Sequence, residues 1–388
     1  MKKEIFLTLF LFINLAINSQ VRLSNYSEVS IITAGPGNEL FEAFGHSAIR
    51  IKDPELKLDL VYNYGIFDYN APNFYLNFTK GKLLYKLGRY RFKYFLESYR
   101  YDKRWVKEQI LNLNQEEKQK FFNYLENNAQ PQNASYLYDP FFNNCATKLS
   151  VITKSILGDN VNFSDENIEK NKSFRMLMND EIYWNTWGNL GINLALGNKL
   201  DQKATLQEYM YLPDYVYIIY KNSSVSFNNE IKPIVKKEEL LINFPEKKQK
   251  TGIFNPLLVF SIICLIGLFI TYRDFKKKKR SKWLDFVLMF ITGIIGLLIV
   301  FLWFFTDHST TPNNFNFLWA FVFNLFIAFK ISKSNPQDWI SKYILLLLLF
   351  LLLIPILWIS KIQLFPIALT PFFVLLAVRY FYLYRTLK

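Results

Sequence analysis

Residues Tyr138–Gly158 read YDPFFNNCATKLSVITKSILG, and the way this stretch folds decides how the rest of the chain is read. A loop with Pro140 and two asparagines leads into Cys145, after which apolar residues fall at Ala146, Leu149, Ile152 and Ile156. That spacing predicts a helix, capped by Asn143 or Asn144 and stopped at Gly158. Cys145 then stands in the first turn, where unpaired backbone N–H groups and the helix dipole favour the thiolate, the reactive form of the side chain. The alternative is a small buried hydrophobe at a helix start, the commoner fate of an unpaired cysteine.

The surroundings of this helix are those of an exported domain attached to a membrane. The chain has 388 residues, 51% hydrophobic and 18% aromatic, enough for one large domain and a membrane region. Lys2 and Lys3, an apolar core from Ile5 to Ile17 and the polar exit Asn18-Ser19-Gln20 predict a secretory signal over residues 1–19. Ile17, where a cleavage site prefers alanine, leaves an uncleaved anchor as the alternative. No cysteine follows the core, so the chain is not itself a lipoprotein. A mixed, polar domain is expected over 20–225, a charged linker over 226–252 and a membrane domain over 253–388. The last contains five apolar segments, at about 253–272, 284–305, 315–331, 343–359 and 364–384, predicting five transmembrane helices. The third and fourth are short and need slight extension or a thin bilayer.

The net charge of +14 agrees with this topology. Seven of the 46 basic residues lie between 273 and 282, and others at Lys330, Lys333, Lys342, Arg379, Arg385 and Lys388. With the polar domain outside, all of these fall on the cytoplasmic side, as the positive-inside rule requires. The basic excess is therefore a topology signal and not a nucleic-acid footprint.

Within the polar domain, Val29–Ala34 predicts a strand. Ser47–Ile51 and Leu58–Tyr64 predict a hairpin turned at Asp53-Pro54-Glu55, with His46 at its start and Asn63 and Tyr64 roughly opposite. Residues 74–112 suggest a strand pair and a helix, and Asn114 with Glu117 forms a capping box for a helix through Leu125. Residues 159–180 read as loop, 181–200 as helix interrupted by glycines, and Tyr215–Tyr220 as a strand. Cys264, the second of two cysteines, lies in an apolar run, which argues against a disulfide with Cys145. A thiolate nucleophile needs a base and proton shuttle, and His46 is the one histidine of the polar domain. Cys145 and His46 thus make a papain-type pair in reversed chain order, which geometry permits. Asn63 and Tyr64 are candidates to orient the imidazole, with Asp68 a further one. On the outer side of the membrane, Thr306–Thr311 with Asn313, Asn314 and Asn316 places Asp307 and His308 where they could bind a lipid headgroup or dock the polar domain; a solvated loop is the alternative. One His and one Asp are too few for a metal site, and no cofactor is expected.

The segments FGHSAIRI, YNYGIFDYNAPNFYLNFTKGKL, YDPFFNNCATKL and LDQKATLQEYMYLPDYV resemble the periplasmic domain of lipoprotein N-acyltransferases of the lyso-form type. The resemblance covers about residues 25–222 and extends weakly through TDHSTTPNNFNFLWA. It implies an α+β, circularly permuted papain-like domain, related to the NlpC/P60 and lecithin:retinol acyltransferase groups, followed by an all-α five-helix transmembrane region. It also implies a multi-pass protein of the inner (cytoplasmic) membrane with its N-terminal domain in the periplasm. His46 matches the family's histidine and Cys145 its cysteine, while Asn143 and Lys148 stand where an acidic residue and an arginine are expected. The implied reaction is acyl transfer from a lipid ester, through a Cys145 thioester, to the N-terminal cysteine amine of a lipoprotein. The implied partners are that lipoprotein and a membrane phospholipid or a lipoprotein diacylglyceryl group. Backbone N–H groups at the helix start, with Asn144, would meet the substrate. A cysteine peptidase or amidase acting on peptidoglycan and a non-catalytic envelope assembly protein are the other readings.

Overall fold

Short runs of alternating and β-branched residues set the architecture of the first domain. The computed structural model describes residues 21–227, 230–246 and 251–388; the expected signal at 1–19 lies outside them. The strands are β1 (Glu28–Ala34), β2 (His46–Asp53), β3 (Leu58–Ile66), β4 (Leu84–Arg91), β5 (Val106–Leu111), β6 (Ser135–Leu137), β7 (Val161–Asn162), β8 (Ser224–Phe227), β9 (Glu230–Pro233) and β10 (Val235–Ile242). Seven of them form one sheet in the order β10-β5-β1-β2-β3-β4-β6, and β7-β8-β9 form a small second one. All its strand pairs are antiparallel. Side chains alternate between the two faces of a strand, so the large sheet builds two cores. Ile31, Ile49 and Tyr62 pack under the helices Gln115–Asn128, Cys145–Leu157 and Pro213–Asn222. Ile32, Ala48 and Val61 meet Phe92, Phe95 and Tyr99 of the helix Phe92–Tyr101 on the other side. The domain is α+β, as expected.

Several local expectations change. Tyr215–Tyr220 is not a strand but part of the helix Pro213–Asn222, with Pro213 in its first turn and Val216, Ile219 and Tyr220 buried. Its aromatic and β-branched content suits a strand, but burial at three- and four-residue spacing under the sheet decides the matter. The charged segment after residue 225 is not an open linker. It completes β8 and supplies β9 and β10, and β10 pairs with β5 at the sheet margin. An edge strand tolerates such charge, which also discourages pairing with other chains. Residues 159–180 contain β7 and the start of a helix, Phe174–Glu181, capped by Ser173. The span 74–112 holds two helices, Phe74–Thr79 and Phe92–Tyr101, around β4.

All five apolar segments are present, but not in one form. Pro256–Lys277, Lys282–Phe304, Trp339–Ile359 and the last segment are continuous helices long and apolar enough to cross a bilayer. The third breaks into a 3-10 turn at Phe315–Leu318 and an eight-residue helix, Asn324–Ile331. At about 1.5 Å per residue that helix covers only some 12 Å. Irregular backbone at this depth is tolerated where protein surrounds it, and here it is surrounded. The Asn316 amide donates to Asn193 O, Trp319 donates to Asn316, and the Asn324 amide donates to Thr292. At the other end of the bundle Arg379 pairs with Asp274 at 2.8 Å and with Asp285 at 2.7 Å, joining three helices.

The two regions are bonded together through the segment 307–316. Asp307 N donates to Lys80 O (2.8 Å), Gly197 N to Thr310 O (2.8 Å) and Asn198 N to Asn313 O (3.1 Å). The Asn314 amide donates to Leu194 O (2.7 Å). Nearby, Leu364 N donates to Asp201, whose carboxylate pairs with the fully buried Arg175.

Candidate active site

The Cys145–Leu157 helix begins as its sequence requires. Asn144 is the cap, its side-chain oxygen accepting from the N–H groups of Ala146 and Thr147, both at 2.9 Å. Its amide donates to Pro140 O and Tyr211 O. Asn144 is therefore engaged within the protein through both atoms of its amide group and is 5% exposed. The cap oxygen takes the N–H groups of Ala146 and Thr147 and not that of Cys145 itself. Cys145 is 8% exposed at the end of the sheet, its thiol hydrogen-bonded to His46.

His46 opens β2 and lies on the sheet face that carries Phe95. The hairpin register pairs Ile49 with Tyr62 and Asp53 with Leu58, which puts Asn63 on the same face as His46 and one step along the diagonal. His46 Nε2 and Asn63 Oδ1 are 2.6 Å apart, leaving Nδ1 for the thiol. The Asn63 amide donates in turn to Tyr90 Oη at 2.9 Å, so the amide orientation is fixed from behind. The structure thus brings together Cys145, His46 and Asn63. It does not bring Tyr64 to them. Tyr64 points to the opposite face, where its hydroxyl accepts from Asn128 (2.9 Å) and burial pushes its pKa up to about 12. Asp68 caps its own turn, accepting from Asn70 N at 2.9 Å.

Cys145 comes from the helix side of the sheet and His46 from the other, and they meet where β3 bulges between Asn63 and Ile66. Gly65 occupies the bulge at φ +95°, a conformation that side chains rarely adopt. A Cβ there would lie 3.9 Å from that of Cys145 and 3.6 Å from Tyr138. Tyr138 stacks on Tyr85 with centroids 4.4 Å apart and walls the thiol on this side.

The electrostatics favour an ion pair. Burial alone would raise the Cys145 thiol, but the charge and hydrogen bond of His46, helped by the N–H groups of Ser47 and Ala146, hold it below the ordinary thiol value. Burial would likewise lower His46. The Cys145 charge and hydrogen bond, together with Asn63, outweigh burial and the opposing Arg104 charge, so His46 lies above the ordinary imidazole value. Alkylation of Cys145 by iodoacetamide, in a Cys264→Ser background, should therefore reach half its maximal rate at a pH below that of a free thiol. In His46→Ala the opposing burial should dominate and the midpoint should move up. An unshifted midpoint in His46→Ala would break the pairing.

The outer loop reaches this site through its backbone and one hydroxyl. Asp307 is exposed and 3.8 Å from Lys82, and its N–H bonds to Lys80. The His308 main chain packs on Gly81, where an added Cβ would lie 2.5 Å from His308 N. Both residues dock the folded domain. Ser309 donates to Asp139, whose other oxygen accepts from Phe141 N and Phe142 N in the loop before Cys145. Of the positions that depart from the resembled pattern, Asn143 donates to Leu137 O (2.6 Å) and Lys148 lies over the Tyr136 ring. Tyr90, Gly65, Tyr138 and the Ser309–Asp139 brace were not singled out from sequence. Assigning the hairpin register from its tight turn could have separated Asn63 from Tyr64; the stacked tyrosines are distant in sequence and give no local signal.

Comparison with curated proteins and with solved structures returns no match. Comparison with family domains returns two: the Lnb N-terminal periplasmic domain over residues 16–179 and the Lnb transmembrane domain over residues 247–388. These matches agree with a lipoprotein N-acyltransferase-like family with a C-terminal membrane region. With the α+β domain followed by apolar helices in the same order, the chain carries both Lnb domains, which together point to a membrane-associated, lipoprotein-processing family.

Proposed function

We propose that this protein is a thiol acyltransferase that moves a fatty acyl chain from a membrane lipid ester to the N-terminal amine of lipoproteins. The observation that carries the reading is the Cys145–His46–Asn63 constellation, with a lowered thiol and a raised imidazole, on a domain bonded to the outer ends of membrane helices. In the first step the Cys145 thiolate attacks the ester carbonyl and a C–S bond forms. The oxyanion receives the Cys145 N–H at the helix start. Collapse breaks the bond to the lipid alcohol, which takes the proton from His46 and departs. In the second step the lipoprotein amine attacks the thioester and neutral His46 takes its proton. The C–N bond forms, the C–S bond breaks, and the thiolate–imidazolium pair is restored. Asn63, held by Tyr90, keeps the imidazole aligned through both steps.

The membrane attachment favours a lipid substrate over peptidoglycan. A wall amidase needs only a tether, whereas here the loop carrying Ser309 braces the residues before the nucleophile. On this reading the protein sits in the inner membrane with the first domain in the periplasm. Incubation with a phospholipid labelled in its acyl chains should leave a hydroxylamine-sensitive label on Cys145 after acid quenching. Addition of a diacylated lipopeptide should discharge the label into an amide detected by mass spectrometry. No label on Cys145 under turnover would reject the proposal.

A further inference from the structure

The segment between β3 and β4 takes no part in the chemistry above, yet it exposes an unusual amount of aromatic surface. Tyr69, Tyr75, Leu76 and Phe78 are 52%, 72%, 52% and 49% exposed, and Phe41 across from them is 61% exposed. The rings support one another: Phe67 lies 4.7 Å from Tyr69, 5.9 Å from Phe74 and 6.4 Å from Phe41. This is a packed wedge of rings. Apolar patches of this kind mark interaction sites.

What covers the wedge follows from where its two ends are fixed. At one end the Lys80 carbonyl accepts from Asp307 N, and Gly81, at φ +78°, packs against His308. Asp307 comes just after Phe304, the last residue of a spanning helix. At the other end Leu40 packs on Gly188, beside Trp187, whose indole donates to Phe254 O at the start of the first span. Both ends therefore stand at the same boundary of the membrane region. Lys80, Lys82 and Lys86 flank the wedge and are exposed. Aromatic rings beside lysines suit the headgroup layer of a bilayer, where rings sit at the apolar boundary and ammonium groups reach phosphates. The inner side of the wedge leads to the site: Phe67 lies 5.0 Å from Tyr85, which stacks on Tyr138 beside Gly65 and Cys145.

We propose that the aromatic wedge of residues 67–78, with Leu40 and Phe41, is immersed in the bilayer leaflet nearest the folded domain and forms the doorway through which a lipid acyl ester reaches Cys145. The doorway rests on the acyl-transfer reading; the immersion does not. The full-length protein in phosphatidylglycerol–phosphatidylcholine nanodiscs, with p-benzoylphenylalanine installed at Tyr75, Phe78 or Tyr26, tests it. Tyr26 is 68% exposed but precedes β1, whose far end pairs with His46. Irradiation should give lipid adducts at 75 and 78 at least about fivefold above those at 26. Equal adducts at the three positions overturn the immersion. Adducts should persist at 75 in Cys145→Ser, because the contact needs no chemistry, so failure of acyl transfer is read separately. The double variant Tyr75→Asp with Phe78→Asp should slow acylation of Cys145 from bilayer lipid about tenfold, and Tyr75→Trp should not. An unchanged rate in the double variant overturns the doorway.

Discussion

Cys145→Ser is expected to yield a folded, membrane-inserted protein whose acyl transfer has fallen by about 10³-fold or more. The hydroxyl fits the space, but it is far less acidic than the thiol and His46 cannot hold it as the anion. His46→Ala should cost a similar factor, since the same residue lowers the thiol and carries both protons. The two groups support one proton-coupled step, so the double variant should be barely worse than either single one. Asn63→Ala should be milder, about tenfold to a hundredfold, because it only aligns the ring. The measurement is the fraction of lipoproteins with an amide-linked acyl chain in cells whose only copy is the variant. Normal acylation in the Cys145→Ser cells would return Cys145 to a structural role and favour an assembly protein.

The second large effect concerns stability. Arg175 is fully buried and pairs with Asp201 at 2.9 Å, while its other nitrogens donate to Asn193, Leu196 O and Gly197 O. Arg175→Ala removes every one of these bonds and leaves the Asp201 carboxylate buried without its cation. Breaking such a pair costs about 3–5 kcal/mol. The thermal midpoint in detergent should fall, and proteolysis should cut first near residues 196–201. Arg175→Lys should recover part of the loss, because an ammonium restores the charge but not the planar fork. A midpoint unchanged in Arg175→Ala would mean that the surrounding asparagines, not the ion pair, hold this corner.

Much of the site was legible before the fold. Apolar spacing from Ala146 to Ile152 was enough for the helix, and the asparagines before Cys145 for its cap. The tight turn after Asp53 was enough for the hairpin that starts at His46. The choice between Asn63 and Tyr64 was open because it depends on register, which decides the face a side chain takes. Asn144 looked available to substrate because one of the bonds its amide makes, to Tyr211 O, comes from a segment 67 residues away. Tyr215–Tyr220 read as a strand for a similar reason: the sheet that buries one side of it is built from distant strands. The broken third apolar segment was hidden too, since hydropathy records how apolar a stretch is and not whether neighbours satisfy its backbone.

The bonds between residues 307–316 and the folded domain have a further consequence. A domain on a loose tether would sweep a volume above the membrane, whereas this one keeps Cys145 in a fixed place relative to the apolar helices. A reactant anchored in the bilayer those helices cross would meet the site by sliding sideways, and encounter would become a two-dimensional search. The governing quantity is then the number of reactant molecules per unit area of bilayer, not their number per volume of solution.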